Sequence, residues 1–424
     1  MLDYLAENGG GALFVEMRLG KTLVAIRYAQ NIVGKKLVVC PTEGLWTWKR
    51  ELEMEQKSYV VLRGTKEQRL VPSKAEWHLI NYESLLATPE LLGRVWSMIV
   101  VDESRRMANP KAKVTRLLNS LPITQHRIVL SGEPAPESPL EYFEQLKFVN
   151  GNFMGAQNYW QFRNNNFREF GPHDWVMMPS KINRFKENLH EKSFILSRKQ
   201  AGIPDKKIYE VRTLPLPPAL RKTYDEVRKD FLASINGSEI STKWVPVQYL
   251  WLHQISCGFL GEKLLWEGKV KSLLELLRGE LAHEQVVVWF RFNAAIDLAS
   301  RLLLQSSVQH ARIVGAETRA NREESINRFR SGELRVLLCQ IKCGRSSIDL
   351  SNSSTAVYFS NSYSLEDRHQ SEDRILNPVK KDPLLYIDLV TEKTVEEDIL
   401  ETLRLKGAEA KYFMSNLMQK LRAA

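Results

Sequence analysis

The chain of 424 residues is poor in cysteine. Its four thiols, Cys40, Cys257, Cys339 and Cys343, show no paired zinc spacing. That scarcity excludes a disulfide scaffold and points to reduced thiols in a cytosolic protein, with Cys339 and Cys343 in or beside a predicted strand. No apolar run reaches the roughly 20 residues that cross a bilayer, and the first residues lack a signal-peptide pattern. A membrane partner is therefore not expected. Internal repeats and low-complexity tracts are also absent. What remains is an ordinary globular composition, 43% hydrophobic and 26% charged, in a chain too long for one core, so two or three domains are expected.

Net charge is +10, and its distribution is uneven. Residues 1–150 carry 20 basic against 17 acidic side chains, 151–245 carry 16 against 10, and 246–424 carry 24 against 23. More than half of the excess lies in the middle segment. The same segment holds Phe153, Tyr159, Trp160, Phe162, Phe167, Phe170 and Trp175. Basic residues interleaved with aromatics suit a polyanion-binding surface. The aromatics also suit a small core of a helical insert, and the two readings are compatible.

Strand-like runs alternate with helical patterns over 11–150, as in a doubly wound sheet. The predicted strands are Ala12–Val15, Leu37–Cys40, Trp77–Ile80, Met98–Val101 and Arg127–Leu130. Alternation fades over 151–245, which reads as helices and loops broken at Gly171-Pro172 and at Leu214-Pro215-Leu216-Pro217-Pro218. It returns from about 268, with predicted strands Val286–Phe290, Ala311–Val314, Arg335–Cys339, Thr355–Phe359 and Leu384–Leu389. The predicted fold class is α/β. Domains are expected at 1–150, at 151–245 as a helical, basic and aromatic insert, at 246–393, and at 394–424 as a C-terminal helix. There Thr394-Val395-Glu396-Glu397 reads as a capping box, and Ile399, Leu400, Leu403 and Leu405 form an apolar face.

Two short runs carry the chemistry. Met17-Arg18-Leu19-Gly20-Lys21-Thr22 follows the apolar run Ala12–Val15 and opens a helical pattern. A strand, tight loop and helix N-terminus aim backbone N–H groups at a β-phosphate. Lys21 then meets the β/γ-phosphates, and the Thr22 hydroxyl reaches Mg²⁺. Val15 stands where the general pattern has its first glycine, and Gly-Lys-Thr alone is a frequent coincidence. The second run decides. Met98-Ile99-Val100-Val101 is apolar without alternation, as in a strand buried on both faces, and ends in Asp102-Glu103 about 80 residues downstream. Ligands bind at the carboxyl ends of such strands. Asp102 is assigned to the Mg²⁺ shell and Glu103 to orienting or deprotonating the attacking water. The bland alternative, a solvated Asp-Glu pair opening a helix, loses to the two runs taken together.

In this setting the chain resembles the Swi/Snf-like branch of the superfamily-two helicases, of phage or bacterial type. Glu16 to Thr22 resembles motif I, Val39-Cys40-Pro41 through Trp48 and Glu51 motif Ia, and Asn81-Tyr82-Glu83 motif Ib. Asp102-Glu103-Ser104-Arg105-Arg106 with Asn109-Pro110 resembles motif II, and Leu130-Ser131-Gly132-Glu133-Pro134, running into Leu140-Glu141-Tyr142-Phe143, motif III. Further on, Val286–Phe292 is similar to motif IV, Gly344 to Leu350 to motif V, and Gln370-Ser371-Glu372-Asp373-Arg374 to motif VI.

The resemblance implies two RecA-like lobes with ATP between them and Mg²⁺ as the metal. It implies translocation along, or remodelling of, duplex or branched DNA with little sequence preference. Gln370 and Arg374 would reach the γ-phosphate, and Asp349 in motif V joins the nucleotide-binding set. A monomer is expected, in the bacterial cytoplasm or that of a host. Four positions depart from the family: Arg105 for His, Glu133 for Thr, Ser347 for Gly, and Asn377 for a second motif VI arginine. Arg345, Lys380 and Lys381 are candidate substitute cations. The chain also starts almost at motif I, leaving no room for an upstream adenine-reading segment. These departures keep a weakly hydrolysing ATP- and DNA-binding relic as the alternative, with an RNA helicase a more distant one.

Overall fold

In the computed structural model the described residues are 1–120, 126–135, 138–169, 175–203, 207–237, 245–345, 348–377 and 383–405. Phe170, Gly171-Pro172, Ser347, Lys380, Lys381 and the C-terminal stretch from 406 lie outside them. The chain divides into two compact units that part between Pro204 and Asp205.

The first unit is built on β1 (Gly11–Val15), β2 (Lys36–Cys40), β3 (Tyr59–Val61), β4 (Trp77–Asn81), β5 (Met98–Asp102), β6 (His126–Ser131) and β7 (Ser193–Leu196). Their order is β3-β4-β2-β5-β6-β1-β7, and every neighbouring pair is parallel. A parallel sheet covered on both faces needs apolar side chains at every position, which is why these runs do not alternate with polar residues. In β1, Ala12 and Phe14 enter one core cluster while Leu13 and Val15 enter another. In β5, Ile99 and Val101 face the first cluster, Met98 and Val100 the second.

The second unit repeats the plan. Its strands are β8 (Lys207–Leu214), β9 (Val286–Phe290), β10 (His310–Ile313), β11 (Val336–Gln340), β12 (Thr355–Tyr358) and β13 (Leu384–Thr391), in the order β8-β13-β12-β9-β11-β10, again all parallel. Val286, Val288 and Phe290 line one core and Val287 and Trp289 the other.

The stretch 151–245 is shared between the units. Phe153, Phe162 and Phe167 are buried in the first unit's core, with Phe162 stacked on Phe143 at 5.0 Å between ring centroids. Tyr159 and Trp175 lie at the margin, and Trp160 is exposed, with the guanidinium of Arg163 over both indoles. The Phe residues therefore form a core, and Trp160 with its cations faces outward. Beyond them β7 extends the first sheet and β8 the second. The run Pro215–Pro218 ends β8, and Pro218 opens the helix Pro218–Gly237, where its missing N–H costs nothing.

A helix over 395–405 closes the second unit. Val395 packs with Leu216, Leu220 and Tyr224, and its N–H is accepted by the Tyr224 hydroxyl at 2.8 Å. At its start the Glu397 carboxylate accepts the Lys393 N–H at 3.0 Å, while Thr394 Oγ1 accepts from Glu396 N at 3.3 Å. Neither bond spans the three residues of the regular capping box: one spans two and the other four. No helix among the described residues is long and apolar enough to cross a membrane.

Candidate functional site

In the first unit β1 ends at Val15 and the chain turns through two left-handed residues, Arg18 (φ 67°) and Gly20 (φ 78°), into the helix Lys21–Tyr28. Glycine adopts that backbone without the Cβ penalty, so Gly20 gives the sharp entry that places Lys21 and Thr22 in the first helical turn. The Lys21 ammonium is held by the carbonyls of Val15 (2.5 Å) and Glu16 (3.1 Å). Leu19 anchors the loop against the core, while Met17 faces β6. A Cβ on Gly132, just past β6, would lie 3.1 Å from Met17 Cγ and 3.8 Å from Lys21 Nζ. The expected motifs I and III are therefore in contact, and the close approach accounts for glycine at 132.

Two strands over, β5 ends at Asp102. One carboxylate oxygen, Oδ2, accepts the indole N–H of Trp48 at 2.9 Å, and the other accepts the Glu103 N–H at 2.9 Å. Burial is the main influence on this acid and raises its pKa. Trp48, the charge of Lys21 and the Glu103 N–H oppose that rise. Glu103 follows in a left-handed conformation (φ 50°), rare for a non-glycine residue and worth explaining where it occurs. Its support is Tyr82, whose buried hydroxyl donates to the carbonyls of Asp102 (2.6 Å) and Glu103 (3.4 Å). Next to it, Ser104 donates to Gln145 Oε1 at 2.6 Å, and Gln145 Nε2 donates to Pro134 O at 2.7 Å. This fully buried amide ties the turn after β5 to the loop after β6. Arg105, where the family has His, sits 3.9 Å from Glu141.

The predicted set Met17, Arg18, Leu19, Gly20, Lys21, Thr22, Asp102 and Glu103 thus gathers at the carboxyl end of one sheet. Trp48, Tyr82 and Gln145 were not assigned roles from sequence. Trp48 and Tyr82 were visible only as members of motif-like runs, and nothing local marked Gln145.

In the second unit, Gln370 lies in the helix Leu365–Glu372, where its Nε2 donates to Glu366 Oε1 at 3.0 Å. The Arg374 carbonyl accepts the Leu350 N–H at 3.0 Å, joining the expected motifs V and VI. Asp349 Oδ1 accepts from Ser351 N at 3.2 Å, and its carbonyl accepts from Arg330 Nε at 2.9 Å. The helix is held by buried ions. Arg368 pairs with Glu372 (2.6 Å) and with Asp388 of β13 (2.5 Å), and its guanidinium lies 3.6 Å from the Tyr358 ring centroid. Lys207 of β8 reaches Glu372 at 2.8 Å. Burial pushes the Glu372 carboxyl up, but Lys207 and Arg368 outweigh it and hold it at about 2.

His253, Cys257 and Glu396 also converge within this unit, as metal ligands do. The chemistry does not fit a cation. Lys269 Nζ sits 2.6 Å from both Glu396 oxygens and fills the place of a positive charge. Burial raises the Cys257 thiol and lowers His253, so both stay neutral. This cluster is a structural ion pair with neutral neighbours.

Known proteins match this chain along most of its length. The model of the SNF2-related domain matches residues 1–255, and that of the helicase conserved C-terminal domain matches 268–377. Among curated proteins, the SWI/SNF chromatin-remodeling complex subunit snf22 of Schizosaccharomyces pombe is 23% identical over 96% of this chain and 27% of its own length. The DNA repair and recombination protein RDH54 of Saccharomyces cerevisiae is 23% identical over 98% of this chain and 50% of its own. The chain spans about a quarter to a half of the length of such relatives. The SWI2/SNF2 ATPase core of Sulfolobus solfataricus, solved in complex with dsDNA, aligns over 98% of this chain and 91% of its own at 20% identity, with a TM-score of 0.45. With the family model matched over more than half of its residues, this chain belongs to the SNF2-related family.

Proposed function

We propose that this chain is a DNA-dependent ATPase that uses ATP hydrolysis to move along or remodel duplex or branched DNA. The observation that carries the proposal is the meeting of Lys21, Gly132 and Asp102-Glu103 at the carboxyl end of one parallel sheet. Membership of the SNF2-related family supports it, as do relatives described as chromatin remodelers and as DNA repair and recombination proteins.

Each residue then has a task. Loop N–H groups and Lys21 hold the β- and γ-phosphates. Glu103, in its left-handed backbone conformation at the end of β5, takes the proton of the attacking water. Thr22 and Asp102 fit Mg²⁺, because a hydroxyl and a buried carboxylate are hard oxygen donors. When bound, the ion would neutralise charge developing on the phosphate oxygens. Gln370 and Arg374 serve the γ-phosphate, with Asp349 beside them. The DNA backbone is the partner of the basic surface, and a single chain is the working unit.

The test is a set of ATP hydrolysis rates with no nucleic acid, single-stranded DNA, duplex DNA and duplex RNA. Duplex DNA is expected to stimulate most, with a stimulation that falls steeply between low and physiological salt. Stimulation by RNA equal to or above that by duplex DNA would overturn the proposal.

A further inference from the structure

Trp48 does more than fill the core. It lies on the helix Gly44–Met54, whose first residue packs so close to the end of β2 that a Cβ on Gly44 would sit 3.2 Å from Cys40 Cβ. That contact fixes the helix N-terminus against the sheet. The helix turns two sides outward and inward. Trp46, with Lys49 over its ring at 5.2 Å, and Arg50 look out, while Trp48 and Leu52 are fully buried. Trp48 leans on Trp77 at 6.0 Å and 36°, which orients its indole edge.

The fold does not require its buried indoles to find acceptors. Among the described residues, the N–H groups of Trp77 and Trp289 have no hydrogen-bond partner. The Trp48 N–H, in contrast, is aimed at Asp102 Oδ2 at 2.9 Å. A carboxylate has about four lone-pair sites. Here the indole takes one from a rigid ring and the Glu103 N–H takes one on the other oxygen. Two neutral donors at fixed positions leave the carboxylate one orientation without cancelling its charge.

We propose that Trp48 is a positioning residue: its indole N–H sets the orientation of the Asp102 carboxylate toward the divalent cation of the nucleotide site. This rests on the proposed role of Asp102. Hydrogen bonds to a metal-holding carboxylate typically matter by 10- to 100-fold in metal affinity or activity.

The decisive variant replaces Trp48 with β-(3-benzothienyl)alanine, which keeps the bicyclic ring and puts sulfur in place of the N–H. Trp48→Phe is the genetically simple companion, and Asp102→Asn the control. Two quantities are read: the Mg²⁺ concentration giving half-maximal ATP hydrolysis, and Mn²⁺ binding, by electron paramagnetic resonance, with a non-hydrolysable ATP analogue present. The benzothienyl variant is expected to weaken both by about 10- to 100-fold, with thermal stability retained and much of the turnover recovered at saturating Mg²⁺. Unchanged values in this variant while Asp102→Asn shifts both would overturn the role of Trp48 alone. Unchanged values in Asp102→Asn would overturn the metal role of Asp102, and the inference with it.

Discussion

The two units hold their polar site residues by different hydrogen-bonding and ionic means. In the first, Asp102 and Glu103 are fixed by neutral donors, the Trp48 indole, the Tyr82 hydroxyl and a backbone N–H. In the second, the helix bearing Gln370 is fixed by charges, Arg368 and Lys207 against Glu372 and Asp388. Neutral donors orient a carboxylate and leave its charge for a ligand. Ion pairs consume charge and give rigidity, at the risk that losing one partner strands the other in the interior. The difference fits the proposed function, in which the first unit supplies the reacting carboxylates and the second a scaffold for presenting cations.

The comparison is broken first at Glu103. Glu103→Gln keeps size and hydrogen bonding but removes the base, so turnover should fall by about 10²–10⁴. ATP binding and melting temperature should stay as they are. Turnover kept near the parent value would show that the donors around Asp102-Glu103 serve something other than hydrolysis.

The second unit should respond in stability. Arg368→Met leaves Asp388 without its buried cation and Glu372 with Lys207 alone, and should cost about 3–5 kcal/mol, read as lost hydrogen-exchange protection in β12 and β13. The same network predicts acid lability. Burial raises Glu372 and Glu396, but Lys207 and Arg368 for one, and Lys269 for the other, bring both down to about 2. A depressed folded value adds stability that is present above the ordinary carboxylate value of about 4.3 and lost as pH falls toward 2. Asp102 has the opposite sign, since burial raises it. Protection in β12 and β13 should therefore drop between about pH 4.5 and 2 before protection in β1 and β5 does. Simultaneous loss in both units would contradict the contrast.

Much of this could be read from the chain. The runs behind β1, β2 and β5 are apolar throughout, and those behind β4 and β6 hold one buried polar residue each, His78 and Arg127, because both faces of the sheet are covered; such runs stand out without any partner in view. The strand β8 did not stand out. It is an edge strand, so Ile208, Tyr209 and Val211 stay exposed among charged neighbours, and the stretch read as part of a helical insert. The short β7 was lost in the same segment. Lys21, Asp102 and Glu103 stood out because their signal lies in what immediately precedes and follows them. Trp48, Tyr82 and Gln145 act across 54, 20 and 41 residues, on Asp102 for the first two and on Ser104 for the last. Only the fold brings those pairs together.

The central claim, that the end of the first sheet is where ATP is split, is tested most directly at Lys21. Lys21→Ala removes the cation proposed to meet the phosphates. Duplex-stimulated ATP hydrolysis and nucleotide binding are measured beside the melting curve. The account predicts weakened binding, abolished turnover and an unchanged melting temperature. Hydrolysis at the parent rate in Lys21→Ala would contradict it.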